Sequence, residues 1–182
     1  MPRKPQVLKR QLLTRTRLFR VEEMELLFAN GATRTFERLL SDHQAVIIVP
    51  MLDDDQVLLV REYGAGMEDY QLGLPKGRLD AGETFEAAAN RELQEEVGFA
   101  AERLTLLKSM TQSPNYMQHA TQIVLAQGLY PQTAEGDEPE PLEVEIFRLS
   151  QLPELCSRAD FTEARSIAAL YLAQAYLAGS RD

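Results

Sequence analysis

The chain has 182 residues, 45% of them hydrophobic, and a formal net charge of −9 at pH 7. That length fits one domain with at most a modest extension, and the acidity argues against a broad nucleic-acid-binding surface. Cys156 is the only cysteine, which excludes an intrachain disulfide and a cysteine-rich zinc site and points to a reducing cytoplasm.

The basic N-terminus, MPRKPQVLKRQLLTRTRLF, lacks the apolar run and small-residue cleavage site of a signal peptide. No stretch approaches the roughly 18 apolar residues of a membrane span, so the expectation is a soluble cytoplasmic protein without membrane contact. Residues 17–40 read as an antiparallel hairpin: Met24, Leu26 and Phe28 alternate along one arm, Asn30-Gly31 supplies the turn, and Phe36 and Leu39 lie on the return. The arm before it either packs on the same domain or reaches a partner subunit. AVIIVPML, 45–52, is dense in β-branched residues and reads as a buried strand, and QVLLVREY, 56–63, as its pair across the turn Asp53-Asp54-Asp55.

Gly64–Tyr70 reads as loop, and Leu72–Pro75 as a short strand before the glycine-bounded loop Gly77–Gly82. A helix is predicted over 84–97, because Phe85, Ala89, Leu93 and Val97 make one apolar face and Gly98 suits its C-terminal end. Strands are predicted at 103–110, 120–128 and 142–149, with the acidic, proline-rich 131–141 as loop. A last helix is predicted over 162–177 with Ile167, Leu170, Tyr171 and Ala175 as its apolar seam. Strands mixed with two helices predict an α/β fold, a mixed β-sheet covered on both faces with an N-terminal antiparallel hairpin. Residues 1–40 are assigned to the arm and hairpin, a dimerisation element in this reading, and 41–182 to the main domain.

The helix over 84–97 carries Glu92, Glu95 and Glu96 on one side, at its negative end. Like charges four residues apart destabilise a helix by roughly 0.2–0.5 kcal/mol. A divalent cation reverses that balance: Mg²⁺ or Mn²⁺ takes carboxylate oxygens and leaves positions for a diphosphate. The carbonyl of Gly77 can join them without a Cβ in the way.

The segment has a further regularity. A glycine, five residues, a glutamate, seven residues, then Arg-Glu-aliphatic-x-Glu-Glu-x-Gly-aliphatic is the pattern of the Nudix box. Gly77, Glu83, Arg91, Glu92, Leu93, Glu95, Glu96 and Gly98 match it, and Phe99 stands where an aliphatic residue is usual. The chain therefore resembles the Nudix hydrolases, whose fold is an α/β/α sandwich. The hairpin ahead of the box, the helix after it and Pro114 resemble the ADP-ribose pyrophosphatase branch. The segments AVIIVP, LLVREY, LPKGRLDAGE, ANRELQEEVGF and FTEARSIAAL resemble a bacterial group in it acting on ADP-containing compounds.

The resemblance implies Mg²⁺ or Mn²⁺ held by Glu92, Glu95, Glu96 and the Gly77 carbonyl, with Arg91 and Glu83 tying loop to helix. It implies a small nucleotide substrate such as ADP-ribose, NADH or a diadenosine polyphosphate, release of AMP, and a homodimer. A glutamate of the acidic loop, Glu138 or Glu140, is implied as general base, with a base on the box helix as the rival. Tyr63, Tyr70 and Tyr116 are candidates to stack on adenine, and Arg61, Gln71 and Lys76 to touch substrate. Where the branch often has an arginine shortly after the second core strand, this chain has Gly64, which fits a site accepting several ADP compounds. A nucleoside triphosphate or capped-RNA hydrolase, and a non-catalytic nucleotide-sensing module, stand as alternatives.

Overall fold

Period-two alternation sets the layers. In the computed structural model, which describes residues 3–179, strands β4 (Ala45–Pro50), β5 (Gln56–Gly64) and β10 (Ala120–Pro131) lie at the centre. Ile47, Val49, Val57, Leu59, Ile123 and Leu125 pack with Leu152, Leu155, Phe161, Ala169, Leu170 and Ala173. Their strand neighbours Val46, Ile48, Leu58, Val60, Val124 and Ala126 face the other way, onto Ala88, Ala89, Leu93 and Val97. A strand covered on both faces needs apolar residues at every position, which is why AVIIVP is buried throughout. Each buried Val or Ile side chain among them contributes about 1.5–3 kcal/mol.

The covering helices are α1 (Phe85–Glu96) on one side and α2 (Leu152–Cys156) with α3 (Ala164–Gly179) on the other. One sheet runs β7 (Lys76–Arg78), β4, β10, β8 (Phe99–Thr111), with β4 parallel to β10 and antiparallel to β7. The other runs β11 (Glu143–Arg148), β5, β6 (Asp69–Gly73), all antiparallel. The result is the expected mixed α/β sandwich, with α2 as an addition that the sequence reading had not separated. Tyr171 and Ala175 do not belong to the seam of α3: both are exposed, and Ser166, Ala169, Leu170 and Ala173 are the buried residues.

The described residues divide into two compact units, one formed by those up to Gln44 with Thr111–Ala120, the other by Ala45–Met110 and those from Thr121. In the first unit, the basic arm is itself a strand. β1 (Gln6–Arg15), β2 (Arg20–Leu27) and β3 (Thr33–Leu40) form an antiparallel meander, and β9 (Met117–Gln118) adds in parallel beside β3. The β2–β3 turn closes where Asn30-Gly31 predicted it, the Asn30 side chain accepting the amide of Ala32 at 3.0 Å. The second unit holds both helical layers and the residues of the box.

Candidate functional site

Helix α1 starts at Thr84, whose backbone is extended and whose hydroxyl accepts the amide of Ala87, and it ends against Gly98 at φ 74°. Glycine adopts that left-handed conformation without steric penalty, so the helix stops there and β8 begins at once. Burying Ala88, Ala89 and Leu93 turns Glu92 and Glu96 onto a flank that is also covered, and each is only 8% exposed.

The cover is β7. Its antiparallel register, Ile47 opposite Lys76 and Val46 opposite Gly77, lays the glycine against α1. A Cβ on Gly77 would stand 1.8 Å from Glu92 Oε1, so the carboxylate fills the space that a side chain would need. The backbone amide of Lys76 donates to Glu96 Oε2 at 3.3 Å. From the far side α3 steadies this edge: Ser166 Oγ accepts the amide of Leu74 at 3.0 Å and donates to Glu163 at 2.6 Å.

Arg91 is the hub. Its Nη1 donates to Glu92 Oε1 at 2.7 Å and Glu95 Oε2 at 3.1 Å, and its Nε to Glu83 Oε1 at 3.1 Å. Its Nη2 donates to the Arg78 carbonyl at 2.8 Å and to Glu83 Oε2 at 3.2 Å. Glu83 in turn accepts the amide of Asp80 at 2.9 Å, which closes the loop onto the helix. Hydrogen bonding to Arg91 holds the Glu83 carboxyl below its ordinary value and raises the guanidinium above its own. Burial acts oppositely on the other two acids. It raises Glu92 despite Arg91, and pushes Glu96 up to about 8 against the opposing charge of Lys76. Two buried carboxylates thus sit side by side with incomplete neutralisation.

A cavity of about 610 Å³ opens over this face. Lys76, Gly77 and Arg78 of β7 line it, with Asp80, Arg91, Glu92 and Glu95, and with Glu135, Gly136, Asp137 and Glu138 of the acidic segment. That segment, 132–142, is tied down at both ends. The amides of Gln132 and Ala134 donate to the carbonyls of Gly98 and Gln94, each at 3.1 Å. Farther on, the Tyr70 hydroxyl donates to Glu140 Oε1 at 2.5 Å. Glu138 therefore lines the cavity, while Glu140 is turned to Tyr70 and is absent from the lining. Burial, and then the charges of Glu62 and Asp137, raise the Glu138 carboxyl above its ordinary value.

Among the described residues, no three acidic, imidazole or thiol side chains converge as a finished metal cage. Arg91 bridges Glu92 and Glu95, and Glu96 turns to the Lys76 amide. The donor set still fits a hard divalent cation: it offers oxygens only, two of its carboxylates are buried, and Gly77 presents no side chain to obstruct approach.

The other candidates scatter around this centre. Lys76 Nζ pairs with Glu62 at 2.6 Å. Arg61 is committed to Asp160 at 2.7 Å, with Glu145 and Glu143 at 3.6 and 3.5 Å. Tyr63 stands edge-on to Tyr70 across the β5–β6 pair, ring centroids 5.4 Å apart, and Gln71 accepts from Thr162 Oγ1 at 3.0 Å. Tyr116 belongs to the first unit, where it lines a groove of about 560 Å³ with His43 and His119. Sequence reasoning assigned no role to Glu62, Arg78, Asp80 or Asp137. A signal for Glu62 was present: it continues the parity of Leu58 and Val60, which face α1.

Known proteins resemble this chain over most of its length. Residues 41–170 match the family model of the NUDIX domain, and residues 5–38 that of the NudE-type Nudix hydrolase N-terminal domain. The chain is 46% identical to ADP compounds hydrolase NudE of Escherichia coli (strain K12), over 97% of this chain and 95% of that one. It is 28% identical to an ADP-ribose pyrophosphatase of Bacillus subtilis (strain 168), over 85% and 83% of the two chains. A solved structure described as that of an ADP compounds hydrolase superposes with a TM-score of 0.93 at 45% identity, covering 99% of this chain and 97% of the other.

Proposed function

This chain belongs to the Nudix hydrolases, and on that premise we propose that it cleaves the pyrophosphate bond of ADP-containing compounds and releases AMP. ADP-ribose, NADH and diadenosine polyphosphates are the substrates in this reading. The observation that carries it is the placement of two buried carboxylates along β7: Glu92, packed against side-chain-free Gly77 and lining a cavity of about 610 Å³, and Glu96, which accepts the amide of Lys76 next to it. The relatives named for ADP compounds and ADP-ribose support the choice of substrate class.

Glu92, Glu95, Glu96 and the Gly77 carbonyl would hold Mg²⁺ or Mn²⁺, which when bound offsets their charge and that of the diphosphate and supplies Lewis acidity. The protein's own groups do the rest. Arg91 keeps Glu92 and Glu95 in register with the loop. Glu138 takes a proton from the attacking water as its oxygen bonds to one phosphorus and the bridging P–O bond breaks. The raised Glu138 carboxyl is the better base for it. ADP-ribose would give AMP and ribose 5-phosphate, and NADH would give AMP and reduced nicotinamide mononucleotide. Tyr63 offers an exposed ring for adenine.

The working form in this reading is a cytoplasmic homodimer. The apolar residues Val7, Leu8, Leu12 and Leu13 of β1 are exposed in the single chain, and a second copy would cover them. Among the described residues no helix is long and apolar enough to cross a membrane.

The test is a substrate panel: ADP-ribose, NADH, diadenosine triphosphate, nucleoside triphosphates and capped RNA, each with Mg²⁺ and Mn²⁺, products resolved by chromatography. AMP from the first three is the expected result. Turnover of triphosphates or capped RNA alone, or ligand binding without AMP release, would overturn the reading. Light scattering should give the mass of two chains, and a concentration-independent monomer would reject the dimer.

A further inference from the structure

We propose that Arg78 is a substrate-binding residue, the fixed cation of the protein that receives the non-bridging oxygens of the substrate's diphosphate. The assignment rests on the reading that the cavity over Gly77 accepts a phosphoanhydride, and it begins from a charge imbalance. Six carboxylates line that cavity against three side-chain cations, Lys76, Arg78 and Arg91. A polyanion entering it meets repulsion, and bound metal ions relieve only the part that they touch. A donor fixed in the protein is needed as well.

Two of the three cations are already engaged. Lys76 Nζ lies 2.6 Å from Glu62. Arg91 uses Nε, Nη1 and Nη2 on Glu83, Glu92, Glu95 and the Arg78 carbonyl. Arg78 differs. Among the described residues its guanidinium makes no hydrogen bond or ion pair, although nearby arginines are held by carboxylates.

Its backbone is anything but free. Arg78 pairs with Ala45 in the β4–β7 ladder, and its carbonyl accepts Arg91 Nη2 at 2.8 Å. The residue thus combines an anchored main chain with an unclaimed fork of N–H donors, one residue after Gly77. A guanidinium meets phosphate oxygens in a bidentate, planar manner that an ammonium cannot reproduce. The same chemistry explains why Arg61 is not the choice: Asp160 already occupies its fork.

The experiment compares the full-length wild type with Arg78→Ala and Arg78→Lys. KM and kcat are measured on ADP-ribose in Mg²⁺, and the Kd of the non-hydrolysable α,β-methylene analogue of ADP-ribose by calorimetry. Loss of one charge-assisted contact predicts that KM and Kd rise roughly tenfold or more in Arg78→Ala, with kcat changed less. Arg78→Lys should recover part of the affinity, and the wild type should lose affinity more steeply with KCl than Arg78→Ala. Should Arg78→Ala misfold, Arg78→Lys and Arg78→Gln carry the comparison. Unchanged KM and Kd in the neutral variant, beside an active wild type, would overturn this assignment alone. Arg78-dependent binding of the analogue with no AMP released from ADP-ribose would overturn the hydrolytic reading and leave Arg78 as assigned. Neither binding nor turnover in the wild type would overturn both.

Discussion

Glu92 and Gly77 are complementary in shape: the carboxylate oxygen lies 1.8 Å from where a Cβ on the glycine would be. The atoms in conflict belong to the far end of a flexible side chain, which can swing away. Gly77→Ala should therefore fold, losing about 1 kcal/mol, the low end for overpacking. It should nonetheless lose activity on the order of 100-fold, because Glu92 is displaced from its working position. Urea unfolding and steady-state kinetics on the same preparation check both halves. A variant with normal kcat would show that the position of Glu92 is unimportant.

Arg91 is judged by geometry rather than by charge. Arg91→Lys keeps the positive charge and loses the fork that reaches Glu83, Glu92, Glu95 and the Arg78 carbonyl together. The expected loss is about 1–3 kcal/mol of stability, discounted because the arginine is itself part-exposed. Denaturant titration measures it. Wild-type stability in the lysine variant would mean that the network contributes by charge alone.

Glu96→Gln separates folding from metal binding. Removing a buried carboxylate whose burial disfavours its charge should leave the metal-free protein as stable as the wild type, or more so. Mg²⁺ should raise the Tm of the wild type and not that of the variant, and kcat should fall by far more than stability changes. Normal turnover in saturating Mg²⁺ would remove Glu96 from the ligand set.

The two acidic-loop candidates should part company. Glu138→Gln removes a cavity-lining carboxylate and is expected to lower kcat by about 10²–10⁴, with the acidic limb of the pH–rate profile abolished. Glu140→Gln keeps an oxygen that can accept the Tyr70 hydroxyl, removes only a charge outside the cavity lining, and should lower kcat less. Equal effects would argue that the segment acts by position rather than through one base.

Acid stability has a separate origin. Hydrogen bonds from Arg158 and then Arg61 hold the Asp160 carboxyl well below its ordinary value of 3.8. A depressed acid stabilises the fold fully above the unfolded value, and that contribution is lost as pH falls through the folded one. Asp160→Asn should thus be less stable than wild type at pH 7, and the gap should narrow below about pH 4 as the wild type approaches acid unfolding. Unfolding curves from pH 7 down to pH 2 check it. A gap that stays constant across that range would place the effect outside ionisation.

How much of this was legible in the chain depended on burial. Strands β4 and β5 and the face of α1 were readable because covered surfaces leave an apolar pattern. Strand β1 is exposed at every position, so QVLKRQLLTR carries no period and read as an arm. Helix α2 spans only Leu152–Cys156, too short to show a face. At the site, fixed spacing announced Glu92, Glu96, Gly77 and Arg91. The pairs Lys76–Glu62 and Tyr70–Glu140 join residues 14 and 70 positions apart. Such contacts arise from tertiary packing and have no local signature.

The return of Thr111–Ala120 to the first unit has a practical corollary. No single cut frees that unit: removing the chain through Gln44 would take β3 and strand the β9 dipeptide, deprived of Leu39 and Leu40 as ladder partners. Deletion libraries and split-protein fusions should treat the two segments as one cooperative piece, excised or kept together.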